Sequence, residues 1–333
     1  MQVQEHIPVI DELSFHGQFN ADEIPNVLTR LKNVISEAKR HGFSSSQKAL
    51  FCQDLLLRVI ARETTLSQWL FTKVEKDPFR DIKLYFIHIL GSRTFINDLE
   101  FFSELEYLSE GRESIGLGYA HYNSQPCFAL PETGKDESCC RIVKLQKNSL
   151  GNDGSVRTEN VHAGVVTQVD GFDGLRSALI EALRGADTNT DVSGDTILKQ
   201  AWFCFPRLDF SEEAVSDLLK MRPSHPTWSK VIQHFQYIDA SVYDFAHRPP
   251  GNKDSFLEIL ISRCGIDNAS DENKDTKNDR RAAQDHRFFF PSLGESRYCF
   301  LHTKYAHPNR IYFEHDVSLH KAHIGKLNTH LIV

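Results

Sequence analysis

The sequence predicts an α+β protein, with an α-rich N-terminal half, a mixed α/β centre and a small antiparallel β-module at the C-terminus. Three observations predict it. Near the start, Ile24, Leu28, Leu31, Ile35 and Ala38 recur at helical spacing. From residue 111 the texture changes to short apolar runs punctuated by Gly, Asn and Pro. From Phe288 to Val333 the chain is a succession of strand-forming runs: FFF, YCFLHTKY, NRIYFEHD, KAHIGK and THLIV.

Composition narrows the class further. A chain of 333 residues buries a sizeable core, and 40% hydrophobic with 25% charged residues is the balance of a globular protein. The formal charge of −7 argues against a protein that wraps nucleic acid with its whole surface, yet leaves room for a local basic site. The seven cysteines are scattered and no pair has C-x-x-C spacing, which predicts a reduced, cytoplasmic setting. MQVQEHIPVIDELSF lacks the basic and apolar regions of a signal peptide, and the most apolar run, LYFIHIL, is too short to span a bilayer. No membrane association is expected.

Taken in order, the first element is a helix from about Asp22, a plausible N-cap, with Pro25 just inside its start and its stripe ending before Gly42. A second helix is expected after Ser44, Ser45 and Ser46, with Leu50, Leu57, Ile60 and Ala61 on one face. Thr65 to Lys73 predicts a short third helix. Asp81 to Leu90 fits a buried strand or a core helix equally well, and Phe101 to Leu108 predicts a helix. Strands are expected over Ser124 to Leu130, from Cys140 and over Val161 to Val169. Gly174 to Arg184 is an amphipathic helix closed by Gly185, followed by a polar loop. Ala201 to Phe205 predicts a strand, Ser211-Glu-Glu opens a helix with acidic groups at its positive end, and Pro226 to Ile238 supplies another. Gly265 to Arg281 is dense in mixed charge and predicts an exposed linker. The expected organisation is a helical region over 1–110, a mixed region over 111–263, a charged linker over 264–286 and a β-module over 287–333.

The chemistry concentrates at the C-terminus. Six of the sixteen histidines, His302, His307, His315, His320, His323 and His330, fall within its last stretch, interleaved with Lys304, Arg310, Lys321 and Lys326. Imidazole exchanges protons near neutrality and also ligates metals. Strand alternation places Arg310, Tyr312 and Glu314 on one face, with Ile311 and Phe313 toward the core, and puts His302 and Lys304 on a common face. If these runs pair, cations, an aromatic and histidines share one surface, the elements of single-stranded RNA recognition. Cleavage of RNA by its own 2′-OH needs a base, an acid and a cation for the phosphorane, and His, Lys and Arg supply all three without metal. Two other readings stand beside this one. The histidines are solvated turn residues and the cations offset Glu314 and Asp316, or His320, His323, His315, His330 and Asp316 ligate zinc. H-x-x-H on a strand points its two imidazoles to opposite faces, so the zinc reading requires a turn.

Three other features carry less. Gly116-Leu-Gly118 lacks the third glycine of a dinucleotide fingerprint and reads as helix or turn packing. Cys204, in AWFCF, reads as a core thiol. No G-x-S-x-G, P-loop, H-E-x-x-H or kinase set is present.

The run RIYFEHD, followed after a turn by a His-Ile-Gly-Lys strand, resembles the last hairpin of RelE/HigB-type mRNA-interferase toxins. The resemblance covers only the C-terminal module, and the toxins are much shorter and usually basic. It implies phosphate contact for Arg310, Lys321 and Lys326. The reading that follows is a metal-independent endoribonuclease or toxin-like effector, with host defence as its expected setting. His302, Arg310, His320 and His323 are its catalytic candidates, and Lys304, Tyr312, Lys321 and Lys326 its substrate-binding ones, with no cofactor. RNA or other nucleic acid is the expected ligand, and the α-rich half the expected surface for a regulatory protein. The alternative is a non-catalytic accessory subunit that binds nucleic acid or a partner.

Overall fold

A computed structural model of the chain describes residues 6–15, 19–44, 49–61, 63–72, 77–91, 96, 105–131, 139–151, 153–185, 193–221 and 227–327. Helices and mixed sheets make it an α+β fold. It divides into two compact units between Ser177 and Ala178, rather than at the composition shifts near residues 110 and 263. No helix among the described residues is long and apolar enough to cross a membrane.

The first unit contains β1 (Val9–Ile10), α1 (Ile24–Glu37), β2 (Val59–Ala61), β3 (Thr64–Thr65), α2 (Leu66–Phe71) and α3 (Arg80–Gly91). After these come β4 (Leu105–Ser109), β5 (Arg112–Glu113), α4 (Ile115–Tyr122), β6 (Cys127–Phe128), β7 (Cys140–Leu150) and β8 (Val156–Val166), and α5 (Gly171–Leu183) runs across the division. Its main sheet has the order β1-β6-β8-β7-β4-β5, with β1, β6 and β8 parallel and the long β7–β8 hairpin antiparallel. The helix α4 packs on this sheet so closely that Gly118 lies against the Tyr107 ring, leaving no room for a Cβ. Glu12, 1% exposed, accepts the Ile115 and Gly116 N–H groups at 2.7 and 2.9 Å, neutralising the start of α4. The two glycines therefore serve packing.

The second unit contains α6 (Gly194–Cys204), β9 (Leu208–Phe210), α7 (Glu212–Lys220), α8 (Trp228–Ala246), α9 (Phe256–Cys264), β10 (Ala269–Asp271), α10 (Lys274–Asn278) and α11 (Arg280–Asp285). It ends with β11 (Arg287–Phe290), β12 (Glu295–Tyr298), β13 (Leu301–Ala306), β14 (Asn309–Asp316) and β15 (Lys321–Leu327). Five strands form a sheet ordered β10-β13-β14-β15-β9, antiparallel except where β15 meets β9. Both faces are covered. On one, His315 stacks on Phe256 of α9 at 4.0 Å and meets Phe245 of α8 edge-on at 4.8 Å. On the other, the β11–β12 hairpin closes over Tyr312, which clusters with Phe288, Phe290 and Cys299. Gly325 makes this closure possible, since a Cβ there would sit 2.7 Å from Cys299 Sγ and collide with the Phe288 ring.

Several expectations hold. The first helix has Pro25 in its first turn, and its continuing 3-10 turn closes at Gly42 with φ 96°. Its N-cap is Glu23, without a side-chain cap bond, in place of Asp22. A capping box of Thr65 and Gln68 starts α2 and Ser211 caps α7, while residues 81–90, open between strand and helix in the sequence, lie within a helix. Ser45, Ser46 and residues 101–104 lie outside the described residues.

Four expectations are corrected. The second helix is instead a 3-10 turn at Gln53–Leu57 followed by β2, since Leu57 is 70% exposed and the Val-Ile-Ala run favours a strand. Residues 105–109 form β4, because Tyr107 and Ser109 alternate inward against β7. Residues 201–204 are the end of α6. Their aromatic content suggests a strand, but Ile197, Ala201 and Cys204 form one buried helical face. The charged stretch 264–286 is ordered. Its Asn273 and Asp279, read as loop formers, are N-caps of α10 and α11, and Ala269, Thr276 and Ala282 are buried.

Replacing Gly325 with alanine should lower the midpoint of urea unfolding, at a cost of about 1–3 kcal/mol from overpacking beneath the hairpin. An unchanged midpoint would show that Phe288 and Cys299 give way freely.

Candidate functional site

The edge strand β10 pairs with β13 so that Ser270 lies opposite His302. Cross-strand partners share a face. Ser270 Oγ is 2.8 Å from His302 Nε2. Two residues on, Glu272 is directed to the same side, its N–H held by the Phe300 carbonyl at 3.1 Å. Its Oε1 is 3.2 Å from His302 Nδ1, 3.5 Å from Arg310 Nη1 and 3.7 Å from His286 Nε2. Glu272 is 8% exposed and His302 3%, while Ser270 is partly exposed. Oε1 has no aligned hydrogen bond among the described residues, and Arg310 is the fixed positive charge beside it.

Each member is held by its own element. His286 ends α11, with Nδ1 2.8 Å from the Ala282 carbonyl and its ring edge-on to Tyr312. The Tyr312 ring also lies 5.4 Å from that of His302. Arg310 is the register partner of Lys304 across β13 and β14, and Lys304 is exposed. With Nδ1 facing a carboxylate and Nε2 facing a hydroxyl, His302 has the surroundings of a base that takes a proton at Nε2.

The sequence-predicted residues thus separate. His302, Arg310 and Lys304 come together, and Tyr312 adjoins them but is 0% exposed, so it offers no stacking surface. His323 is also 0% exposed and belongs to a different group. Its Nδ1 lies 3.1 Å from Asp209 Oδ2 and its Nε2 3.7 Å from Asp316 Oδ2. Burial alone would raise the Asp209 carboxyl, but the His323 and Ser292 contacts outweigh it and hold the group below the usual range. Asp316 is held low in the same way, by hydrogen bonds from the Ser318 hydroxyl, the Leu319 N–H and Arg297 that overcome desolvation. His320 is an exposed turn residue with φ 51°. Lys321 is paired with Asp316 in the ladder and Lys326 with Tyr312, both on β15, which β13 and β14 separate from β10. His307 sits in the exposed β13–β14 turn, and His330 lies outside the described residues.

Sequence reasoning missed Ser270, Glu272 and His286, all within the stretch taken as a linker. The spacing of Ser270 and Glu272 was a usable signal, since strand alternation puts them on one face. Among the described residues, no group of three or more His, Cys, Asp and Glu side chains is arranged to hold a metal ion. Comparisons with family models, curated proteins and solved structures find no match.

His315 gives the site's sheet a pH signature. Burial between Phe245 and Phe256 lowers its imidazole to about 4, against about 6.5 in an open chain. The folded state therefore favours the neutral ring. The resulting stability is complete above about pH 6.5 and declines as pH falls toward 4. His315→Phe should flatten that part of the curve of urea-unfolding free energy against pH. An identical slope in the variant would exclude His315 as a source.

Proposed function

We propose that the chain is a metal-independent nuclease acting on single-stranded RNA through the Glu272, His302, Arg310 and Lys304 group. The single observation that carries this reading is the convergence on one carboxylate oxygen of His302 at 3.2 Å and Arg310 at 3.5 Å. A phosphodiester cleavage needs a group to take the proton of the attacking oxygen and return one to the leaving oxygen. His302 Nε2 supplies that exchange, and Glu272 holds the ring at Nδ1 and stabilises its charged form. Arg310 and exposed Lys304, cross-strand neighbours, supply positive charge for the phosphorane oxygens. His320 and His323, the first exposed in a distant turn and the second sealed in the interior, have no role in this scheme.

A second reading, nucleic-acid binding without cleavage, is favoured by the near-complete burial of His302 beside exposed Lys304. The two part in one assay. Full-length protein is incubated with a labelled single-stranded RNA in EDTA, alongside His302→Ala, Glu272→Gln and Lys304→Ala. Cleavage by the wild type should persist in EDTA and fall on the order of 10²–10⁴-fold in His302→Ala. Lys304→Ala should weaken binding and reduce its salt dependence by about one phosphate contact. Retained binding without cleavage would establish the second reading, and neither binding nor cleavage would remove both.

A further inference from the structure

Ser270 has a place in this group that the acid–base scheme leaves unexplained. Its hydroxyl is 2.8 Å from His302 Nε2, and the far nitrogen of the same ring is 3.2 Å from Glu272 Oε1. Hydroxyl, imidazole and carboxylate thus follow one another at close range, the last pair in contact without an aligned hydrogen bond, in the order that activates a serine hydroxyl. The β10–β13 register fixes the first contact, because Ser270 and His302 are direct ladder partners. Strand alternation fixes the second, by bringing Glu272 to the same side two residues later. Ser270 is the partly exposed member, while His302 and Glu272 behind it are nearly sealed. Exposure therefore falls from the nucleophile to the base and acid behind it, as a serine that meets substrate requires. Arg310, 17% exposed at its side chain, and exposed Lys304 lie on the same sheet face, where a developing oxyanion needs positive charge.

We propose that Ser270 is the nucleophile of this site, attacking phosphorus to form a seryl–nucleotide phosphodiester intermediate, so that the substrate is a nucleic-acid phosphodiester with no need of a ribose 2′-hydroxyl. The proposal rests on the nuclease reading and deepens it. In the first step the Ser270 Oγ–P bond forms as the hydroxyl proton passes to His302 Nε2. The P–O bond to the departing nucleoside breaks, and its oxygen takes that proton from His302. In the second step His302 takes a proton from water, and the water oxygen bonds to phosphorus. The P–Oγ bond breaks, Oγ recovers the proton from His302, and the product leaves as a phosphomonoester. Glu272 exchanges no proton in either step and acts as a positioning residue.

Two measurements on the full chain test the nucleophile separately from the nuclease reading. In the first, wild-type protein is treated with a fluorophosphonate, which reacts with activated serine hydroxyls, and the adduct is located by peptide mass spectrometry. Labelling at Ser270 is expected, slowed by about 10²-fold or more in His302→Ala and restored to no other serine. Glu272→Gln should slow it less and shift its pH profile, a change that a merely structural carboxylate would not cause. Absence of label on Ser270 overturns the nucleophile whatever happens to nucleic acid. The second compares an RNA oligonucleotide with its DNA counterpart. Cleavage of both, with Ser270→Ala inactive on both, supports the proposal. Cleavage of RNA alone, with Ser270→Ala as active as the wild type, overturns the nucleophile and leaves the nuclease intact. Labelled Ser270 with neither nucleic acid cut supports the activated serine and removes the nuclease.

Discussion

A carboxylate taken out of water must be met by charge, and Glu272 is met by side chains from three elements. His286 comes from the end of α11, His302 from β13 and Arg310 from β14. The contact set links the end of the edge strand, the end of α11 and the centre of the sheet. Removing one partner of such a buried group costs about 3–5 kcal/mol, because the charge that remains is uncompensated. The same interaction explains why a stretch so rich in Asp, Asn and Lys is ordered. Its polar residues have partners, through the caps at Asn273 and Asp279 and the Lys277–Asp271 pair at 2.6 Å.

Much of the local structure was legible. Periodicity and capping chemistry located α1, α2, α5, α7 and α8, and strand texture located β7, β8 and the C-terminal strands. The failures share one cause. Propensity describes a residue's local preference, and tertiary contacts overrode it at Gln53–Leu57, at the end of α6 and at β4. For the site, alternation grouped Arg310, Tyr312 and Glu314 and put His302 with Lys304, and the pairing of β13 with β14 then sets Lys304 opposite Arg310. It did not say what covers that face. A sheet buried on both sides follows the same alternation as one wet on a single side when its second face carries paired polar groups. Tyr312 and His323 were therefore assigned to solvent and are in fact interior.

Two histidine–carboxylate groups occupy that one face, and comparing them isolates what makes a site. His323 lies between Asp209 and Asp316, with Arg297 bonded to Asp316 at 2.6 Å and 3.6 Å from Glu314. In composition this is as good an acid–base set as Glu272 and His302, and its serine, Ser292, is also close at hand. The difference lies in geometry and cover. Ser292 donates to the acid Asp209 and not to the imidazole, so no base stands ready to take its proton. The Phe290 ring of the β11–β12 hairpin lies 5.2 Å from that of His323, which is wholly enclosed.

The hairpin thus does more than complete a core. By closing over Tyr312, Gly325 and His323 it confines any open chemistry on this face to the side of β10, β13 and the start of β14. There His286, at the end of α11, lies edge-on to Tyr312. The histidine count that first marks this region in the sequence therefore reports two opposite uses of one side chain. In one, an imidazole is locked between carboxylates to hold β9 against β15. In the other, it is left with one nitrogen facing an acid and the other facing a partly exposed hydroxyl. Only the second arrangement can pass a proton to a molecule outside.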